Sequence, residues 1–276
     1  MTDFFNLIRI KVTILVGLSA FAGTCLFSSE ITDKSFFGVL IAFFLSSGCS
    51  ALNQWQERCS DFLMKRTKTR PIPSGNMQAR TVLKIAFLLI FIAFVLIAYL
   101  GNWALMWVAI FSVIIYNFIY TPLKKKTAVA LLFGSVSGAL PPVIGFLAVG
   151  GSLFDRRIMV VSIILYIWQT PHFAMLSTKY AKEYSRAGFK TLIRTYGAFR
   201  TQKITDFWVY CYGISLFAAI PAGIYAHDIF VTLHILLASA VLILFFAFRG
   251  RAKRAFNILN ISASLFFILL IVDRFI

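Results

Sequence analysis

Apolar residues gather along this chain in nine long blocks separated by short polar or charged stretches. The blocks run approximately over 10–28, 36–55, 82–100, 103–120, 128–148, 158–177, 207–225, 232–248 and 257–273. Each is close to the ~20 residues a helix needs to cross ~30 Å of hydrocarbon. Without water in that layer, the backbone N–H and C=O groups must be satisfied internally, which selects helix. The pattern predicts an all-α fold, a polytopic membrane bundle of nine transmembrane helices, with residues 1–276 forming one domain. The first block has Arg9 and Lys11 beside it and no convincing small-residue cleavage pattern at its end, so it is kept as a helix rather than a removed signal.

Composition agrees with that ruler. The chain is 60% hydrophobic and 13% charged, with a mean hydropathy of +0.85, which excludes an ordinary water-soluble domain. Alternating nine crossings places 23 of the 27 Lys and Arg residues on one side, a strong bias that puts the N-terminus in the cytoplasm. The net charge of +17 therefore needs no nucleic acid partner. No Arg- and Ser-rich leader is present, which favours a bacterial inner membrane over a mitochondrial one. Cys25, Cys49, Cys59 and Cys211 show neither metal-site nor disulfide spacing.

The inner connections carry the chemistry: residues 56–81, 121–127 and 178–206. The first and third follow helices 2 and 6, an offset suggesting two four-helix halves plus a ninth helix. Asn53, Glu57 and Asp61 lie at i, i+4 and i+8, so on a helix they line one stripe that drifts by only about 40° per step. Two acids so placed repel one another unless a cation lies between them. Mg²⁺ takes hard oxygen ligands and commonly bridges carboxylates to phosphate. The bland alternative is that these acids pair with Arg58, Lys65 or Arg66. Arg66 and Arg70, again four apart, precede Pro71 and Pro73 in a short arm suited to phosphate oxygens. Lys124, Lys125 and Lys126 follow the second connection's "YTP", and the third offers Lys179 and Glu183. Pro171 should bend helix 6 and turn His172 toward the bundle, where a histidine is costly and often functional. A packed, neutral His172 bonded to backbone is the alternative.

"NQWQERCSDFLMKRTKTRPIPSG", "YTPLKKKT" with "GSVSGALPPVIGFLA", and "WQTPHF" with "EYSRAG" occur in that order. With these motifs the chain resembles the haem O synthase branch of the UbiA-type intramembrane prenyltransferases, over about half its length. The resemblance implies Mg²⁺-assisted transfer of a farnesyl group from farnesyl diphosphate to a vinyl group of haem B. Asn53, Glu57, Asp61 and Glu183 would hold metal; Arg66, Arg70, Lys124, Lys125 and Lys179 would hold diphosphate; His172 and Trp168 would contact haem. Tyr116, Tyr120, Phe118 and Trp168 are candidate walls for an allylic cation. The family usually has Asp at the positions of Glu57, Cys59 and Glu183, and a Pro-Met-Leu-Pro run where this chain reads Phe189 to Ile193. Implied partners are membrane lipid and a downstream haem A synthase or terminal oxidase assembly. Two other readings are a UbiA-type enzyme prenylating an aromatic quinone precursor and, from a different class, a transporter of an anionic lipid or haem. Transport of an anion gains nothing from acids at the entrance.

Overall fold

The computed structural model describes residues 2–276. Among them every regular element is helical. The long segments are α1 (Ile10–Phe27), α2 (Asp33–Phe62), α3 (Ala79–Leu100), α4 (Trp103–Leu123), α5 (Ala130–Ala148), α6 (Arg156–Lys179), α7 (Leu192–Leu216), α8 (Asp228–Ala247) and α9 (Ala252–Val272). Short helices cover Thr2–Leu7 and Ala181–Arg186.

Local chemistry explains where several of these helices start and stop. A capping box between Thr32 and Ser35 opens α2, and the Asn102 and Asp155 side chains accept the first free N–H groups of α4 and α6. Gly101, at φ 63°, closes α3 in the left-handed conformation that glycine adopts without strain. Pro141 and Pro142 interrupt α5 between Ala139 and Pro141, because neither prolyl nitrogen can donate to the preceding turn.

Consecutive helices pack on one another, and α9 returns to pack on α1 and α6. Across the bundle, α1 lies against the second half of α5. That approach requires bare backbone: a Cβ on Gly145 would collide with the Ala20 carbonyl, and one on Gly23 with the Pro142 carbonyl. Small residues let membrane helices approach closely and gain dispersion contacts in a solvent that offers no hydrophobic driving force.

Eight of the nine expected spans are long and apolar enough to cross a membrane among the described residues. The exception is the expected segment 207–225. Its helix begins fifteen residues earlier, at Leu192, turns at Gly197 (φ 75°), and ends at Leu216 in a 3₁₀ turn over Phe217–Ala219. Arg194, Arg200 and Lys203 lie within its first half and lower its hydropathy, while Val209, Tyr212 and Leu216 are buried in the core. The expected boundary of helix 2 also moves: α2 continues to Phe62, so the acid stripe is helical throughout.

Candidate active site

The end of α2 and the connections after α4 and α6 converge on a cavity of about 150 Å³. Helix α2 carries Asn53, Glu57 and Asp61 to its wall in one row, as the i, i+4, i+8 spacing requires. All three are buried, with Asp61 fully so. The Asp61 Oδ2 atom meets Arg70 Nη1 at 2.6 Å, and Glu57 Oε1 meets Lys124 Nζ at 2.6 Å. The Asn53 amide donates to Thr121 Oγ1 at 2.9 Å. Burial disfavours the Lys124 ammonium, but Glu57, with Tyr120 and Tyr116 behind it, holds the lysine pKa above its usual value.

The Asp61 carboxylate is only half satisfied. Its Oδ1 is buried and has no hydrogen-bond partner. An orphaned carboxylate oxygen costs free energy in the protein alone and is the atom type a hard divalent cation seeks. Together with Glu57 and the Asn53 amide oxygen, it forms a donor set suited to Mg²⁺, which needs few protein ligands because it keeps water and shares phosphate oxygens. Among the described residues no three His, Cys, Asp or Glu side chains cluster as a self-sufficient metal cage. Glu183 stands apart from the pair: its Oε2 accepts the Arg66 backbone N–H at 3.1 Å. There it joins the 63–78 arm to the Ala181–Arg186 helix, outside the cavity wall.

The cations divide similarly. Arg66, Arg70 and Lys124 line the cavity, whereas Lys125 and Lys179 do not. Lys125 is exposed near the Phe189 ring, and Lys179 is exposed over the Tyr180 ring. The Arg66 guanidinium lies over Tyr180 and Tyr184 and donates to Tyr184 Oη at 3.0 Å. Two lining cations escaped the sequence reading. Lys190 is brought in because its backbone N–H donates to the Lys124 carbonyl at 3.0 Å, clipping the loop after the Ala181–Arg186 helix onto the loop after α4. Arg9 is the single non-glycine residue at positive φ among the described residues (φ 53°). Gln54, one residue beyond Asn53, donates to the Leu7 and Asn6 carbonyls just ahead of that bend. The charge beside the first span had signalled only topology.

The aromatic wall is carried on an irregular turn. Residues Ile114–Tyr120 of α4 form a π-helix, a wide turn common at functional sites. It is pinned to α2: Asn117 Nδ2 donates to the Cys49 carbonyl at 3.1 Å, and Gln56 Nε2 donates to the Asn117 carbonyl at 2.9 Å. Tyr116 and Tyr120, four residues apart on that turn, face the cavity, while Phe118 between them is 61% exposed and points away. From Tyr116 the rings form a row: Tyr120 at 5.7 Å, Phe173 stacked at 6.2 Å, His172 at 6.0 Å, then Phe256 at 5.2 Å and Trp168 at 4.9 Å from His172. Gly134 makes room for this row, since a Cβ there would sit 2.9 Å from Tyr120 and 3.0 Å from Phe173. His172 and Trp168 are not in the cavity wall. They occupy the neighbouring face of α6, against α9, where His172 Nδ1 meets Asn260 Oδ1 at 2.9 Å and Trp168 Nε1 donates to the Leu259 carbonyl at 2.9 Å.

A cavity walled by buried acids, ion-paired cations and aromatic rings suits an anionic leaving group attached to an apolar chain, and comparison with known proteins points the same way. Residues 12–271 match the UbiA prenyltransferase family. The chain is 32% identical over 216 residues to a protoheme IX farnesyltransferase of Nitratidesulfovibrio vulgaris, covering 78% of this chain and 75% of that one. It is 30% identical over 270 residues to the protein of that name from Oleidesulfovibrio alaskensis, covering 98% and 95%. Among solved structures, a digeranylgeranylglyceryl phosphate synthase superposes with a TM-score of 0.81 at 16% identity, covering 99% of this chain and 98% of the other. A UbiA homologue from Archaeoglobus fulgidus bound to DMAPP and Mg²⁺ gives 0.75 at 15% identity, covering 99% of each chain. The chain belongs to the UbiA prenyltransferase family, alongside its protoheme IX farnesyltransferase relatives, and is a multi-pass membrane prenyltransferase.

Proposed function

We propose that residues 1–276 act as one domain that transfers the farnesyl group of farnesyl diphosphate to a vinyl group of haem B, with addition of water, giving haem O. The observation that carries this reading is the aromatic row joining the acid and cation cavity to His172. It supplies one place for a diphosphate, another for a flat apolar acceptor, and rings between them.

Asn53, Glu57 and Asp61 would hold Mg²⁺, which supplies positive charge against the leaving diphosphate when bound. Arg70 and Lys124, paired with those acids in the protein alone, are placed to turn toward the diphosphate, with Arg66 beside them. Preorganised cations in a water-poor site stabilise developing negative charge better than solvent does. As the allylic C–O bond breaks, its electron pair leaves with the diphosphate. The faces of Tyr116, Tyr120 and Phe173 stabilise the positive carbon chain without trapping it. A vinyl π-pair then forms the new C–C bond. Water adds its oxygen to the cation left on the porphyrin side and releases one proton. Trp168, Phe256 and His172 form the acceptor's wall.

Glu183, Lys125 and Lys179 are assigned supporting roles at the rim. Glu183 orders the arm bearing Arg66, and the two lysines add to the positive field that draws anionic substrates to the mouth. This mouth faces the cytoplasm of a bacterial inner membrane, where the charge bias places the N-terminus. The product of haem biosynthesis at this step would pass to a haem A synthase or a terminal oxidase assembly.

The test is to give purified protein haem B, farnesyl diphosphate and Mg²⁺ and weigh the porphyrin fraction by mass spectrometry. A farnesylated, hydrated haem that disappears in excess EDTA is expected. Haem of unchanged mass, or full yield in EDTA, overturns the proposal. Prenylation of an aromatic quinone precursor in place of haem would move the assignment to that acceptor.

A further inference from the structure

We infer that Asn260 on α9 is a positioning residue that fixes the tautomer of His172 and so presents the other ring nitrogen to the iron of the acceptor. The inference rests on the haem reading above and adds a residue that neither motif nor spacing marked.

The hydrogen bonds determine the proton's place. Asn260 Nδ2 donates to the Phe256 carbonyl at 2.6 Å, one turn earlier on α9. A backbone carbonyl only accepts, so reversing the amide would set two acceptors together; the Asn260 oxygen must therefore face α6. That oxygen lies 2.9 Å from His172 Nδ1 and, as a pure acceptor, requires a proton there. A neutral imidazole protonated at Nδ1 carries its lone pair on Nε2. Among the described residues Nε2 has no hydrogen-bond partner, and His172 is half-buried rather than sealed in. Trp168, Phe256 and Asn260 are also half-buried, so the cluster is not closed off. The ring cannot readily rotate: it is tilted against Trp168 at 4.9 Å and stacked on Phe256 at 5.2 Å.

These are the features of a histidine prepared to bind a transition metal. Imidazole suits iron, and a ligating histidine nearly always gives its other N–H to a carbonyl or carboxylate that sets its orientation and basicity. The Trp168 and Phe256 rings, at 33° and 29° to the imidazole, hold its plane steady. A free ring nitrogen, a carbonyl-type acceptor on the other nitrogen and two rings that hold the imidazole thus coincide where α6 meets α9, at the end of the ring row leading from the diphosphate cavity.

Full-length protein in detergent would be titrated with ferric haem B and, in parallel, with iron-free protoporphyrin IX, following absorbance. Wild type should give the spectrum of imidazole-ligated iron, and H172A should lose it. N260L should weaken haem binding by about 10- to 100-fold, while protoporphyrin, which needs no ligand, should bind as to wild type. N260D should keep the ligated spectrum and lower the iron's reduction potential, because a carboxylate makes the imidazole more basic; this readout does not depend on N260L folding. If H172A loses the ligated spectrum but N260L and N260D match wild type, the role of Asn260 is overturned. If H172A itself matches wild type, the haem assignment of His172 falls instead.

Discussion

Lys124 and Glu57 form the inner of the two ion pairs, and replacing Lys124 by Met separates a structural role from a catalytic one. At 2.6 Å, with an effective dielectric near 20, the pair attracts by roughly 6 kcal/mol. Desolvation offsets most of this, because the two side chains keep only 17% and 6% of their exposure. Removing one partner leaves a buried carboxylate alone, at a cost of about 3–5 kcal/mol. K124M should therefore unfold in detergent at a clearly lower temperature than wild type. Removing both charges in E57M/K124M should recover much of that loss, since a buried pair replaced by apolar groups is often neutral. Mg²⁺ should raise the midpoint of K124M more than that of wild type, because the ion takes up the charge that Lys124 had balanced, and it should leave the double variant unmoved. Farnesyl transfer should be lost in both. Thermal unfolding with and without Mg²⁺, followed by intrinsic fluorescence, reads all of this. If Mg²⁺ stabilises the double variant as well as K124M, Glu57 does not hold the ion.

Other substitutions probe neighbouring parts of the site. D61N keeps the size of the side chain but removes the charge on the oxygen that lacks a partner; turnover should fall by about 10²–10³-fold, measured as product formed per minute, and near-normal turnover would take Asp61 out of the metal site. G134A should press on Tyr120 and Phe173 and lower kcat with little change in farnesyl diphosphate affinity; equal kinetics would show that the ring row is not needed for the reaction. E57D shortens the reach of the carboxylate by a methylene while keeping its charge and should retain or raise activity, so a complete loss would mean that the glutamate geometry is essential here. N260L, as argued above, should weaken haem but not protoporphyrin.

Much of this was legible because membrane helices are nearly self-contained: length and hydropathy locate them, and a period of 3.6 puts Asn53, Glu57 and Asp61 in one row. The pairs Glu57–Lys124 and Asp61–Arg70 leave no periodic signal, since the former joins α2 to the loop after α4 and the latter depends on how the arm after α2 folds back. Arg9 and Lys190 reach the cavity through a left-handed bend and a loop-to-loop hydrogen bond, neither of which leaves a periodic signal. The π-helix lies in an apolar block with no sequence mark beyond a buried Asn117, whereas Phe118 facing outward between inward Tyr116 and Tyr120 follows from the i, i+4 spacing of any helix. Helical geometry also corrects the place of His172. It lies about 100° around α6 from Phe173, so it shares a face with Trp168 and meets α9 while Phe173 meets the cavity. The start of the seventh helix is hidden in the sequence, because charges in the first turns of a helix read as a loop when only hydropathy is followed.

The account stands most directly on a diphosphate held through a divalent ion by the stripe on α2. Electron paramagnetic resonance of Mn²⁺, standing in for Mg²⁺, measures this without turnover. In wild type, farnesyl diphosphate should sharply increase Mn²⁺ binding to a single tight site, and D61N should abolish that increase while remaining folded. Tight Mn²⁺ binding that persists in D61N, or that is indifferent to farnesyl diphosphate in wild type, would contradict the account.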